Sequence, residues 1–243
     1  MSNIVYVAFL DILGFKDLVE RNTHEELENI YSQFFNSVKE NGELFEALSK
    51  ILKGQKGFNT TVQSIIISDS IVLWTKDDDI NNFNMLVLAV RLLIMKSFGI
   101  GIPLRGAITR GPLSVSIENS IQIFGKSLTN AYTTESHMEI SGCVIEDECM
   151  EYVLGICDGN EIFNNITNSN CIIQYLMPKK YGEVKNHYMI NWVSPAPGSY
   201  ILESFSKHNK SINNWAVHNK IKNTSDFIDY IKMNNLEVIF KNN

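Results

Sequence analysis

The chain predicts an α+β fold, an antiparallel sheet with helices packed on it, and three features carry that prediction. Short runs of β-formers recur, among them Ile4 to Leu10 and Thr61 to Ile67. Segments with apolar residues at helical spacing separate them. Over residues 1–145 the order of elements contains the βαββαβ pattern of a ferredoxin-like palm, in which helices cover one face of the sheet.

Residues 3–10 open the chain as a strand, and Gly14 permits a tight turn into a short helix from Phe15 to about Arg21. Thr23 with Glu26 three residues later is a capping box, so a second helix begins there. Its buried stripe is Leu27, Ile30, Tyr31, Phe34, Phe35 and Val38. Glu43 to Leu52 continues helical, and Gly54-Gln55-Lys56-Gly57 closes it. A hairpin follows, 60–67 and 70–75, with Ser68-Asp69 at the turn. Asp77-Asp78-Asp79 leads into an apolar helix from about Ile80 to Phe98, as acidic residues suit a helix N-terminus. Pro103 starts a strand through Thr109, Gly111-Pro112 turns into another at 113–117, and a short strand at 121–124 precedes a helix from about Ser127 to His137.

Residues 146–243 read as a mixed α/β extension packed on the same domain. In it, Asn-rich residues 158–170 are expected as loop, and 171–177 and 184–193 as strands. A break at 194–198 precedes helices at 199–207, 211–221 and 224–233, the last capped by Thr224.

The net charge of −6 and pI near 5.4 argue against a non-specific nucleic-acid binder, which needs a basic face. The apolar run at 4–10 is short and broken by Asp11, unlike a signal peptide, and the apolar stretch Met85 to Ile94 is short and contains Arg91, unlike a membrane span. Four cysteines, Cys143, Cys149, Cys157 and Cys171, form no C-x-x-C pair, which predicts reduced thiols in a cytoplasm. Phosphate-loop, nucleophile-elbow and H-E-x-x-H motifs do not occur.

The chemistry is expected at Asp11 and Asp69, each at the end of a run of β-formers. If their strands are neighbours, both carboxylates emerge at one edge of the sheet. Paired carboxylates on rigid strands suit one or two Mg²⁺ or Mn²⁺ ions that keep open positions for phosphate oxygens.

Four segments in order extend that reading. Phe9-Leu10-Asp11-Ile12-Leu13-Gly14-Phe15, Ile67-Ser68-Asp69-Ser70, Arg105-Gly106-Ala107-Ile108-Thr109-Arg110-Gly111-Pro112, and Phe124-Gly125-Lys126-Ser127 followed by Ala131 and Glu135-Ser136 together resemble the class III nucleotide cyclases. The resemblance implies that Asp11, Asp69 and the backbone carbonyl of Ile12 hold two metal ions for attack of a ribose 3′-hydroxyl on the α-phosphorus of a nucleoside triphosphate. It also implies a homodimer, because sites in that family form between two subunits. Arg105, Arg110 and Lys126 lie nearest the expected phosphate path. Arg105 also suits a structural carboxylate, and Arg110 a solvated charge. Phe9, Ser68 and Thr129 are candidates for the base pocket.

Departures from the family are informative. The position of its purine-reading lysine is Ile65, and its asparagine and arginine near the dimer arm fall at Thr129 and Thr133. Two explanations compete. The chain looks like the Pycsar branch, whose members make cyclic pyrimidine nucleotides for a separate effector protein in anti-phage defence; or it is a degenerate module that binds a nucleotide or a partner without turnover. Retention of both carboxylates favours catalysis, because a buried pair without metals would repel. The small basic-aromatic patch Met177-Pro178-Lys179-Lys180-Tyr181 reads as solvated loop, with triphosphate contact as the alternative.

Overall fold

The computed structural model describes residues 3–34, 36, 62–116, 121–193 and 200–238. The helix expected at Glu43 to Leu52, the loop after it and the break at 194–198 lie outside these residues.

The central strand β1 (Asn3–Ile12) is almost wholly buried, as its unbroken run of apolar residues requires. Gly14 follows in the left-handed region at φ 80°, which a Cβ disfavours, and releases the chain into α1 (Phe15–Arg21). The capping box forms as expected: Glu26 accepts from the Thr23 N–H at 2.7 Å, and the Glu26 N–H donates to Thr23 Oγ1 at 3.3 Å. It opens α2 over 24–34, whose Ile30 and Phe34 enter the core. Strands β2 (Val62–Ile67) and β3 (Ser70–Thr75) form the hairpin, and α3 (Ile80–Gly99) returns across the sheet, capped by Asp79. This helix is long and apolar enough to cross a bilayer, but 72% of its most apolar window is buried inside the protein.

Next come β4 (Leu104–Ser116), β5 (Gln122–Phe124), α4 (Lys126–His137), β6 (Gly142–Ile145), α5 (Asp147–Ile156) and α6 (Glu161–Asn168). Strands β7 (Ile172–Leu176) and β8 (Asn186–Ile190) and helices α7 (Tyr200–Ser206) and α8 (Trp215–Met233) complete the described chain. The sheet runs β2-β3-β1-β4-β6-β8-β7, with β5 on the outer part of β4. Within it, β2-β3-β1-β4 is wholly antiparallel and has the ferredoxin-like order, with β6 added parallel to β4. The residues after 145 carry the same sheet onward through β8, which pairs with β6. Phe205, Phe227 and Ile231 from that region share one buried cluster with Leu10, Leu86 and Ile108.

Three expectations are corrected. No turn occurs at Gly111-Pro112, where β4 continues with Pro112 opposite Ile4. The Pro112 carbonyl points away from β1 to accept Ser127 Oγ at 3.0 Å, so the N–H it lacks falls on that side, off the β1 ladder. Residues 158–170 are not a loop throughout. Asn160 caps α6 by accepting from the Phe163 N–H at 2.8 Å, and Phe163 and Ile166 are its buried face. Helices 211–221 and 224–233 are one helix, α8. Thr224 lies within it, donating to the Lys220 carbonyl at 2.6 Å and accepting from the Ser141 N–H at 3.0 Å. Strand β6 and helix α5 were not foreseen.

Candidate active site

Period-two alternation along β1 sets the site. Tyr6, Ala8, Leu10 and Ile12 face the main core, while Val5, Val7 and Phe9 face a second, smaller cluster on the other side of the sheet. Asp11 continues the second set. Its cross-strand partners are Ser70 on β3 and Arg105 on β4. The two-residue turn Ser68-Asp69 brings Asp69 beside it, with Ser68 at φ 57°, the positive value that primed hairpin turns demand. The Ile12 N–H donates to the Asp69 carbonyl at 3.0 Å, which pins the turn to the end of β1.

The two carboxylates therefore converge. Burial pushes the Asp11 carboxyl up to about 7, repulsion from Glu135 and Asp69 adds to it, Arg105 opposes, and a side-chain hydrogen bond links Asp11 to Asp69. A pair that retains a proton near neutrality is a site where a divalent cation can replace that proton. Among the described residues no group of three or more His, Cys, Asp or Glu is arranged to hold a metal, so the donors present are these carboxylates and nearby backbone oxygens. That set fits a hard, oxygen-preferring ion.

The other expected residues divide. Arg105 is buried, bonded to the Glu135 carboxylate, donating to the Met138 carbonyl at 2.8 Å and lying 3.9 Å from Asp11 Oδ2. Arg110 is directly opposite Tyr6, which puts it on the face of the main core, away from Asp11. There it pairs with Asp78 at 2.5 Å and stacks 3.4 Å over the Tyr152 ring. Lys126 is exposed at the start of α4, roughly 13 Å along the helix axis from Glu135. Ser68 is exposed, and its carbonyl accepts from the Tyr31 hydroxyl at 3.1 Å. Tyr31 is pushed up to about 12 by burial and by the charge of Asp69.

Phe9 and Thr129 both line an open groove of about 450 Å³ on the sheet face that carries Asp11. Ser70, Val72, Ile123 and Tyr132 line it with them. Phe9 and Tyr132 meet edge to face, with ring centroids 5.5 Å apart.

Lys180 is exposed in the loop between β7 and β8, as the sequence predicts, and donates to the Ser136 carbonyl at 2.6 Å. Burial raises the Glu135 carboxyl, while Arg105 and then Lys180 act against that rise, so Lys180 lies within electrostatic reach of the site. Lys179 pairs with Met138 in an isolated β-bridge, and Tyr181 packs on His137 at 4.5 Å. The signal was the basic-aromatic run itself.

No protein-family model and no curated protein matches the chain. Solved structures do match. One of a bacterial light-regulated adenylyl cyclase is 11% identical, with a TM-score of 0.50 over 79% of this chain and 92% of that one. Another of a bacterial light-regulated adenylyl cyclase is 11% identical, with a TM-score of 0.52 over 86% of this chain and 57% of that one. At that identity the likeness concerns the fold, and the palm described above is the fold this chain shares with those adenylyl cyclases.

Proposed function

We propose that the chain is a metal-dependent nucleotide cyclase that converts CTP or UTP to the 3′,5′-cyclic monophosphate and pyrophosphate. The observation that carries this reading is the convergence of Asp11 and Asp69 next to Ser70, which lines an open apolar groove. Asp11, Asp69 and the Ile12 carbonyl would hold Mg²⁺ or Mn²⁺. When bound, such ions supply Lewis-acid activation of the ribose hydroxyl and neutralise phosphate charge. The protein positions and selects. Asp11 and Asp69 sit on a strand end and a pinned turn, so their geometry is rigid before substrate arrives. Arg105 holds Glu135 and stands beside Asp11, and Lys180 offers a cation for phosphate oxygens from the C-terminal region.

Phe9 and Tyr132 give the base an apolar and aromatic surface, while Ser70 and Thr129 offer hydroxyls that can donate and accept at a pyrimidine edge. Ile65 contributes no polar group at the position of the family's purine-reading lysine. Exposed Ile67, Ile121, Phe124 and Tyr132 suit coverage by a second copy of the chain. The product would serve as a second messenger for a separate effector in a cytoplasmic anti-phage response, an element that rests on the Pycsar resemblance alone.

A non-catalytic nucleotide-sensing or interaction module is the second reading. It draws on Arg105, whose guanidinium is occupied by Glu135 and Met138, and on Arg110, which faces away. Purified protein with each of the four NTPs and Mn²⁺, followed by mass spectrometry, separates the two. A cyclic pyrimidine monophosphate that disappears in Asp69→Asn supports the enzyme. No product from any NTP with folded wild type refutes it.

A further inference from the structure

A second cavity, of about 240 Å³, lies between α1 and the C-terminal helices, and its wall includes Leu13, next in the chain after Ile12. Leu13, Phe205 and Val217 supply apolar surface, and Arg21, Lys210 and Lys220 bring positive charge. The segment after α7 is stitched to α1 here. Asn22 Nδ2 donates to the His208 carbonyl at 2.8 Å, Asn209 Nδ2 to Asn22 Oδ1 at 2.9 Å, and the Ser211 N–H to the Asp17 carboxylate.

Lys210 is the unusual member. It is 7% exposed, and its ammonium donates to the carbonyls of Gly101 at 2.8 Å and Ser204 at 3.2 Å. Among the described residues no carboxylate forms an ion pair with it. Asp17 lies nearby but is engaged by Arg21 at 2.6 Å and by Ser211, while Lys220 is matched by Glu139 at 3.4 Å. Burial pushes the Lys210 amine down to about 8, with the charge of Asp17 acting against it. A buried cation with neutral acceptors carries an electrostatic deficit that an anion in the adjoining space would offset. Three cations against Asp17 and Glu139 leave one positive charge, which matches a monoanion. The apolar wall calls for an organic body, and the volume suits roughly ten non-hydrogen atoms, scaled from benzene in a 150 Å³ cavity.

We propose that this cavity binds a small organic carboxylate, its charge toward Lys210 and its hydrocarbon body against Leu13, Phe205 and Val217. Bound there, the acid ties α1 to the C-terminal segment. The test is calorimetric titration of the whole chain with benzoate, and separately with inorganic phosphate, for wild type, Lys210→Met and Val217→Trp. Val217 is half-buried and lines the cavity, so the larger side chain takes up the space that the acid would occupy. Saturable millimolar or tighter benzoate binding is expected, with affinity lowered at least about tenfold in both variants and phosphate bound more weakly than benzoate. Three results overturn the proposal: no saturable benzoate binding to wild type, undiminished binding in either folded variant, or phosphate bound as tightly as benzoate. If Lys210→Met does not fold, Val217→Trp decides.

Discussion

Lys210 makes a quantitative prediction about stability and pH that needs no ligand. Burial disfavours the charged form and pushes its amine down to about 8 from an ordinary 10.5. Between those values the unfolded chain holds more protons than the folded one, so stability rises with pH across that window. Below pH 8 both states are charged and the full penalty of burying the ammonium is present, about 3 kcal/mol for a shift of this size. Above 10.5 both are neutral and the penalty is gone. From pH 7 to pH 9 the expected gain is about 1 kcal/mol. Other groups oppose it: burial raises Tyr6, Cys143 and Cys149, which keep protons that the unfolded chain surrenders in alkali. Comparison with Lys210→Met removes that background. Urea unfolding of both proteins at pH 7, 8 and 9 should show wild type gaining about 1 kcal/mol relative to the variant. The absolute difference at pH 7 has no fixed sign, because the variant also forfeits the bonds to Gly101 and Ser204. A wild-type-minus-variant difference that stays flat, or moves the other way, refutes the buried-ammonium account.

Arg105→Met should destabilise the fold by about 3–5 kcal/mol in urea titration, because it leaves the Glu135 carboxylate buried without its partner. Gly106→Ala should cost at least about 1–3 kcal/mol by the same assay, since the added Cβ would lie 2.2 Å from Leu10 Cδ2 and 2.4 Å from the Phe9 carbonyl oxygen. If the chain is the cyclase proposed, Asp69→Asn should lower its turnover by roughly a hundredfold or more, measured by product formation at saturating Mn²⁺, with the circular dichroism spectrum unchanged. If two copies pair through the exposed apolar face as proposed, Phe124→Glu should leave the protein monomeric in sedimentation velocity without altering its melting temperature by more than a few degrees.

The palm was legible because its signals are local. The Thr23–Glu26 box, the Ser68-Asp69 turn and the apolar run of β1 each determine an element without help from the rest of the chain. Convergence of Asp11 with Asp69 followed from topology alone, since β1 and β3 become neighbours in that order of elements. What escaped depends on distant partners. Strand β6 is four residues long and is defined by its ladders with β4 and β8, so no periodicity announces it. Thr224 reads equally as a helix start or as a hydroxyl bonded back within a helix, and only the Ser141 N–H arriving from elsewhere decides. Arg110 shows the limit most clearly. Proximity in sequence placed it near the phosphates, but an odd offset from Arg105 along the same strand sends it to the opposite face.

That same alternation explains why the groove and the carboxylates occur together. Phe9 and Asp11 are two residues apart on β1 and so share a face, as do Val72 and Ser70 on β3. The opposite face is packed by α3 and α5, but this one is covered by α4, leaving room beside Phe9 and Val72. A one-residue slip of β1 would turn Asp11 into the main core and bring Leu10 and Ile12 to the groove. The buried residues Leu10 and Ile12 forbid that slip, because it would expose them and bury a carboxylate. Core packing on one side of the sheet thus holds the register that presents chemistry on the other. It follows that core substitutions at Leu10 or Ile12 should disturb the site through register before they disturb it through contact.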